Sequence, residues 1–151
     1  MVKMKPIALA CDQGGFELMS VVRTYLDSKG YSYKDFGTFT KESCDYPEVV
    51  LPATKAVVSG ECGKGILICG TGIGVSMVAN KVSGIRAAVC TNEFMAEKAC
   101  AHNNANVLAL GGRVLGEELA VCIVDKFLNT EFSEDDRHRR RVDMINCLDK
   151  G

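Results

Sequence analysis

Short apolar runs alternate along the chain with longer stretches whose apolar residues recur every three or four positions. The runs are Lys5 to Ala10, Tyr31 to Phe36, Gly65 to Cys69, Ile85 to Cys90 and Asn106 to Leu110. They are brief and mostly rich in Ile, Val, Leu and Ala, as strands are when helices cover both faces of a sheet. The periodic stretches between and after them predict helices over about 15–28, 47–59, 73–82, 92–102 and 116–128. Phe16, Met19, Val22 and Leu26 give the first of these one apolar stripe. A sixth helix is predicted from Ser133, where Ser133 and Asp136 have capping-box spacing. Alternation of this kind predicts an α/β fold: a three-layer α/β/α, Rossmann-like domain with a five-stranded parallel sheet and a C-terminal helix. No internal repeat, low-complexity tract or linker interrupts residues 1–151, so one domain is expected.

In such sheets ligands bind where strands end and loops lead into helices. Four loops occupy that rim: Cys11 to Gly15, Gly37 to Tyr46, Cys69 to Gly74 and Gly111 to Arg113. They are expected to border one cleft. The third, CGTGIG, joins a cysteine to three glycines and reads G-x-G-x-G. A dinucleotide fold needs G-x-G-x-x-G after its first strand, and a Walker A loop needs Gly-Lys-Ser/Thr. Neither fits, so nucleotide binding loses ground. Glycines do let backbone N–H groups approach a ligand closely, and a helix start near Ile73 adds positive potential. Such a turn can stabilise an oxyanion, and the same field favours a thiolate at Cys69. Nucleophilic attack and proton abstraction next to a carbonyl both suit that pairing. A small residue closing a tight turn fits it equally well.

Two further groups carry chemistry. His102, in AHNN at the end of the fourth predicted helix, is one of only two histidines. Histidine is suited to proton transfer near neutral pH, although a helix C-terminus also attracts it as a charge–dipole contact. In DRHRRR, Arg137 and Arg141 fall on one helix face with His138 beside them. Paired guanidinium groups match phosphate geometry. Glu134, Asp135 and Asp136 offset three of the four arginines, which weakens a nucleic-acid reading.

Composition narrows the classes. At 151 residues, 47% hydrophobic and 25% charged, the chain is ordinary for a globular protein. Its formal net charge of -1 supplies no general attraction to nucleic acid or anionic membrane. No apolar run approaches the roughly 20 residues that span a bilayer, and Asp12 interrupts any N-terminal signal pattern. A cytoplasmic protein is expected. Eight cysteines include no CxxC pair and no zinc-finger spacing, so most are expected to be buried free thiols.

Taken in order, ALACDQGGF, DFGT, DYP, LICGTGIGVSMVANKVSGIRAAVC, HNNANVLALGGR and DRHRRRVDMI resemble the ribose/galactose isomerase family. That family holds the type B ribose-5-phosphate isomerases and the galactose-6-phosphate isomerase subunits. The resemblance runs from about Lys5 to Leu148. It implies an aldose–ketose isomerase that interconverts ribose 5-phosphate and ribulose 5-phosphate through a cis-enediolate. Cys69 matches the base. Other members use a glutamate, whose matching position here is Val75. Gly70, Thr71, Gly72 and Gly74 match the loop that holds the enediolate oxygens, with Thr71 also aiding proton movement. His102 matches the residue that opens the sugar ring, and Asn103 its substrate-binding neighbour. Asp12 and Tyr46 match sugar-contacting positions. Arg113, Arg137, His138 and Arg141 match the phosphate-binding set. The family's histidine after Asp12 is Gln13 here, which keeps a hydrogen-bond donor and loses the ability to carry charge. Weaker phosphate binding or altered preference is expected. No metal or organic cofactor is implied. A homodimer or homotetramer, with sites lined by both subunits, is implied. Six-carbon sugar phosphates (allose or galactose 6-phosphate) are the nearest alternative substrates. A phosphosugar-binding module without catalysis and a thiol-redox role are more distant readings.

Overall fold

The computed structural model describes residues 4–149. Five strands, β1 (Ile7–Cys11), β2 (Tyr33–Asp35), β3 (Lys64–Cys69), β4 (Ala87–Val89) and β5 (Val107–Gly111), form one parallel sheet in the order β2-β1-β3-β5-β4. Six helices accompany them: α1 (Phe16–Ser28), α2 (Pro47–Val58), α3 (Ile73–Ala79), α4 (Glu93–Ala101), α5 (Glu117–Asn129) and α6 (Asp136–Cys147). The predicted α/β architecture is therefore the one observed.

Two apolar cores separate three layers. Leu18, Met19, Val22 and Leu26 of α1 meet α4, α5 and one face of the sheet, with Phe127 fully buried among them. On the other face Val50, Ala53 and Val57 of α2 pack with Val75 and Ala79 of α3. β1, β3 and β5 are central and buried along nearly their whole length. That explains their uninterrupted apolar sequence, since alternation is lost when neither face meets water.

Departures from the predicted boundaries have local causes. α3 stops at Ala79 because Asn80 turns back onto the outer edge of β4. Its side-chain amide donates to the Ala87 carbonyl (3.0 Å) and its oxygen accepts the Ala87 N–H (2.8 Å). One side chain thus stands in for a neighbouring strand and blunts the open edge. β4 begins at Ala87 rather than Ile85 because the Arg86 N–H donates to the Asn106 side chain (2.8 Å). The capping box expected at Ser133 is not formed. α6 starts at Asp136, and Asp135 caps it by accepting the Arg137 N–H (3.1 Å). The Asp135 carboxylate, directly before the helix, displaces the hydroxyl, which is left for another partner.

α6 touches the rest of the chain through few residues, with His138 and Val142 its buried positions. It lies across the amino ends of the strands. The Ser133 N–H donates to the Ala101 carbonyl at the end of α4 (3.0 Å). Toward the other end of the helix, Arg86 donates to Asn146 (2.9 Å), and Asp149 accepts the Gly84 N–H (2.7 Å) just before β4.

Candidate active site

At the carboxyl rim the four predicted loops do converge. Cys69 closes β3, opposite Gly111 of β5. The chain then turns through Gly72 at φ +81°, a conformation that disfavours a side chain. A Cβ there would lie 2.9 Å from the Leu110 carbonyl carbon. This tight turn aims the Gly72 N–H at the Cys69 sulfur, to which it donates at 3.1 Å. Cys69 is only 5% exposed. Its sulfur therefore sits at the edge of the core with a backbone amide ready to stabilise negative charge. The Thr71 hydroxyl is exposed and accepts the Ile73 N–H (3.2 Å), which fixes it on the same turn.

The neighbouring loops press against that turn. A Cβ on Gly14 would approach the Gly70 nitrogen to 2.8 Å, and one on Gly70 would meet the Arg113 guanidinium at 3.4 Å. Arg113 is itself tethered, its N–H donating to the Gly70 carbonyl (3.0 Å). Asp12 is buried and occupied in shaping its own loop, its Oδ1 accepting the N–H groups of Gly14 (2.8 Å) and Gly15 (3.2 Å). Tyr46, the N-cap of α2, lays its phenol against Gly74, where an added Cβ would stand 2.8 Å from the hydroxyl. Gln13 accepts the Cys44 N–H (3.1 Å), joining the β1 and β2 loops. Gln13, Gly14, Gly112 and Arg113 line a cavity of about 270 Å³, to which Lys41 and Glu17 also contribute. Sequence reasoning missed Lys41, whose place beside Arg113 depends on the path of a long loop.

Val75, the position of the alternative glutamate, is fully buried in the core under α3. Burial pushes the Cys11 thiol up to about 12 and the Cys90 thiol to about 11, which keeps both protonated.

The remaining candidates gather at the opposite rim. His102 follows α4, which runs back along the sheet, and Lys64 at the start of β3 reaches Cys100 and the Phe127 carbonyl. The rings of His102 and His138 stack with centroids 4.1 Å apart and planes 27° from parallel. His138 is 7% exposed, and the Ser133 hydroxyl lies 2.8 Å from its Nδ1. Burial, then the adjacent His102 and Arg137, hold His138 below the ordinary histidine range. Arg137 and Arg141 are exposed on the same helix, and Asn103 is exposed beside His102. β3 contributes six residues between the two rims. At about 3.3 Å per residue, the sheet alone sets them roughly 16 Å apart. Within one chain, Cys69, Gly70, Thr71, Gly72, Gly74, Asp12, Gln13, Tyr46 and Arg113 share one rim. His102, Asn103, Arg137, His138 and Arg141 share the other.

Comparison with known proteins agrees in sequence and in shape. Residues 7–145 match the ribose/galactose isomerase family. Ribose-5-phosphate isomerase B of Escherichia coli is 44% identical over 147 residues, covering 97% of this chain and 98% of that protein. The structure of ribose-5-phosphate isomerase B from Clostridium thermocellum superposes with a TM-score of 0.94 at 50% identity, over 96% of this chain and 97% of that one. D-Erythrulose-4-phosphate isomerase of Pectobacterium atrosepticum is 43% identical over 130 residues, 85% of this chain and 86% of its own. The chain belongs to the ribose/galactose isomerase family and is a sugar-phosphate isomerase.

Proposed function

We propose that this protein interconverts ribose 5-phosphate and ribulose 5-phosphate, with Cys69 as the base that moves the proton. One observation carries the assignment of the base: the Cys69 sulfur accepts the Gly72 N–H within a turn of free-facing backbone. A thiolate held there takes the proton from C2 of the open-chain aldose, and the electron pair of that C–H bond forms the C1–C2 double bond of an enediolate. Charge then resides on the two oxygens, where the amides of Gly70, Thr71 and Gly74 serve as donors. The thiol returns its proton to C1, giving the ketose. The Thr71 hydroxyl moves the oxygen-bound proton between O2 and O1. Asp12 and Tyr46 border the sugar.

Ring opening requires an acid/base; Asp12 on the carboxyl rim is engaged by the Gly14 and Gly15 amides, and His102 is the group suited to it. Because His102 lies at the far rim of its own chain, a second copy supplies it, together with Asn103, Arg137, His138 and Arg141. Arg113 of the first copy and the two arginines of the second then bracket the phosphate, and this remote binding orients the sugar over Cys69. The assembly is a homodimer or a homotetramer built from such pairs.

The test is conversion of ribose 5-phosphate by purified protein, followed by NMR for ribulose 5-phosphate. Rapid conversion, reduced by about 10²–10⁴-fold in Cys69→Ala, is expected. Turnover of erythrulose 4-phosphate or a six-carbon phosphate in place of ribose 5-phosphate would reassign the substrate and keep the base. Full activity in Cys69→Ala would overturn the mechanism.

A further inference from the structure

Ser133 is not needed as a helix cap, since Asp135 takes that role. Its hydroxyl has one proton and can accept at its lone pairs. The Asp135 N–H donates to the oxygen at 3.3 Å. The other contact of that oxygen is His138 Nδ1, at 2.8 Å. Among the described residues Nδ1 is the one acceptor that meets the hydroxyl, a contact that can run in either direction with the tautomer. A nitrogen that accepts this bond carries no proton of its own, which leaves the proton of the neutral ring on Nε2. The backbone of Ser133 is fixed as well, by its N–H on the Ala101 carbonyl at 3.0 Å, one residue before His102. One residue thus ties the end of α4 to the imidazole that stacks on His102.

We propose that Ser133 is a positioning residue that locks His138 in its Nε2–H form and so assigns the proton of the stacked pair to His102. The consequence for ring opening rests on the reading of His102 given above, whereas the tautomer does not. Two imidazoles 4.1 Å apart resist carrying charge together. The other charged groups around the pair are Arg137 and Arg141 on α6, Asp135 at its cap and Glu97 of α4 on the His102 side. The arginines oppose a charge on His138 and Asp135 favours one, with burial adding to the opposition. With Nδ1 engaged by a donor, protonating His138 would break that bond, which leaves the partly exposed His102 as the ring free to exchange a proton.

The chain has only two histidines, so their ring nitrogens can be read directly by long-range ¹⁵N–¹H correlation, with His102→Gln to assign them. The expected result at pH 7.5 is an Nε2–H pattern for His138 in the wild-type protein. Ser133→Thr should keep it, and Ser133→Ala should replace it by averaged nitrogen shifts. In the alanine variant the acidic limb of the kcat profile should move, with KM little changed, and threonine should restore it. An Nδ1–H pattern in the wild type overturns the proposal. So do unchanged nitrogen shifts in a folded Ser133→Ala protein, or an unmoved kcat profile once the Nε2–H pattern is lost. If no sugar phosphate is turned over, the nitrogen shifts still decide the role of Ser133, while the isomerase assignment fails separately.

Discussion

The carboxyl rim of the sheet is made largely of backbone: glycines at 14, 70, 72, 74 and 112 let four loops close around one cysteine. The amino rim is made of side chains, two stacked imidazoles and a row of arginines on a helix that buries little of itself. Preorganised amides suit charge that appears fleetingly at fixed points, because they need no reorganisation when it forms. Long cationic side chains suit a phosphate that arrives from solvent. In the proposed reaction each rim supplies what the other lacks, and the sheet holds them apart.

Complementation gives the largest effect that can break this comparison. Cys69→Ala and His102→Ala should each lose about 10²–10⁴-fold in kcat for ribose 5-phosphate. Subunits of the two variants, dissociated and randomly reassociated, should recover about a quarter of wild-type activity. Half the dimers are then mixed, and in a two-fold assembly each mixed dimer has one intact site of two. Recovery, measured by the same NMR assay, requires the rims to belong to different copies. A mixture as inactive as its components would place both groups on one chain's site.

The difference between the rims also explains what could be read from the sequence. Buried strands such as Ile66 to Cys69 announce themselves by composition, and the glycine spacing after Cys69 shows a tight turn leading into a helix. The resemblance extended this to individual residues, Val75 included, an aliphatic side chain that cannot act as a base. The amino rim was legible as residue types and not as a place. Nothing in the spacing of His102 and His138 says that their rings stack, because α4 and α6 are brought together by packing across 34 intervening residues. Ser133 misled for a related reason. Its spacing satisfies a capping box, but Asp135 stood closer to the helix and took the bond. Helix ends such as Ala79 were overextended because Asn80 spends its side chain on β4, a long-range contact that local periodicity does not contain.

A smaller effect sharpens the backbone side of the comparison. Gly72→Ala places a Cβ 2.9 Å from Leu110 in a left-handed residue and should cost roughly 1–3 kcal/mol, read as a lower urea midpoint. Gly116→Ala is the control, since its φ is -73° and a Cβ there meets nothing within 4 Å. Activity per folded molecule should also fall in Gly72→Ala, because the amide that faces Cys69 is turned. Equal midpoints for the two variants would show that the turn is not constrained as described.

Gln13 gives the smallest effect and bears on how the carboxyl rim meets phosphate. Its oxygen is committed to the Cys44 N–H, leaving its amide N–H groups for the cavity shared with Arg113 and Lys41. Removing the bond in Gln13→Ala frees the loop that carries Lys41 and leads to Tyr46, at a cost of about 1 kcal/mol. Gln13→His loses the same carbonyl acceptor but adds a group that becomes positive below its ordinary pKa of about 6.5. The expected outcome is a KM for ribose 5-phosphate several-fold lower in Gln13→His than in Gln13→Ala at pH 6, with the gap closing by pH 8 as the imidazole loses its charge. The sign follows from the phosphate, whose negative charge attracts the imidazolium and not the neutral ring. A gap that persists unchanged to pH 8 would trace the effect to the neutral ring's N–H or bulk in the cavity and not to its charge. No gap at either pH would place the phosphate away from position 13, against Arg113 and the arginines of the other rim.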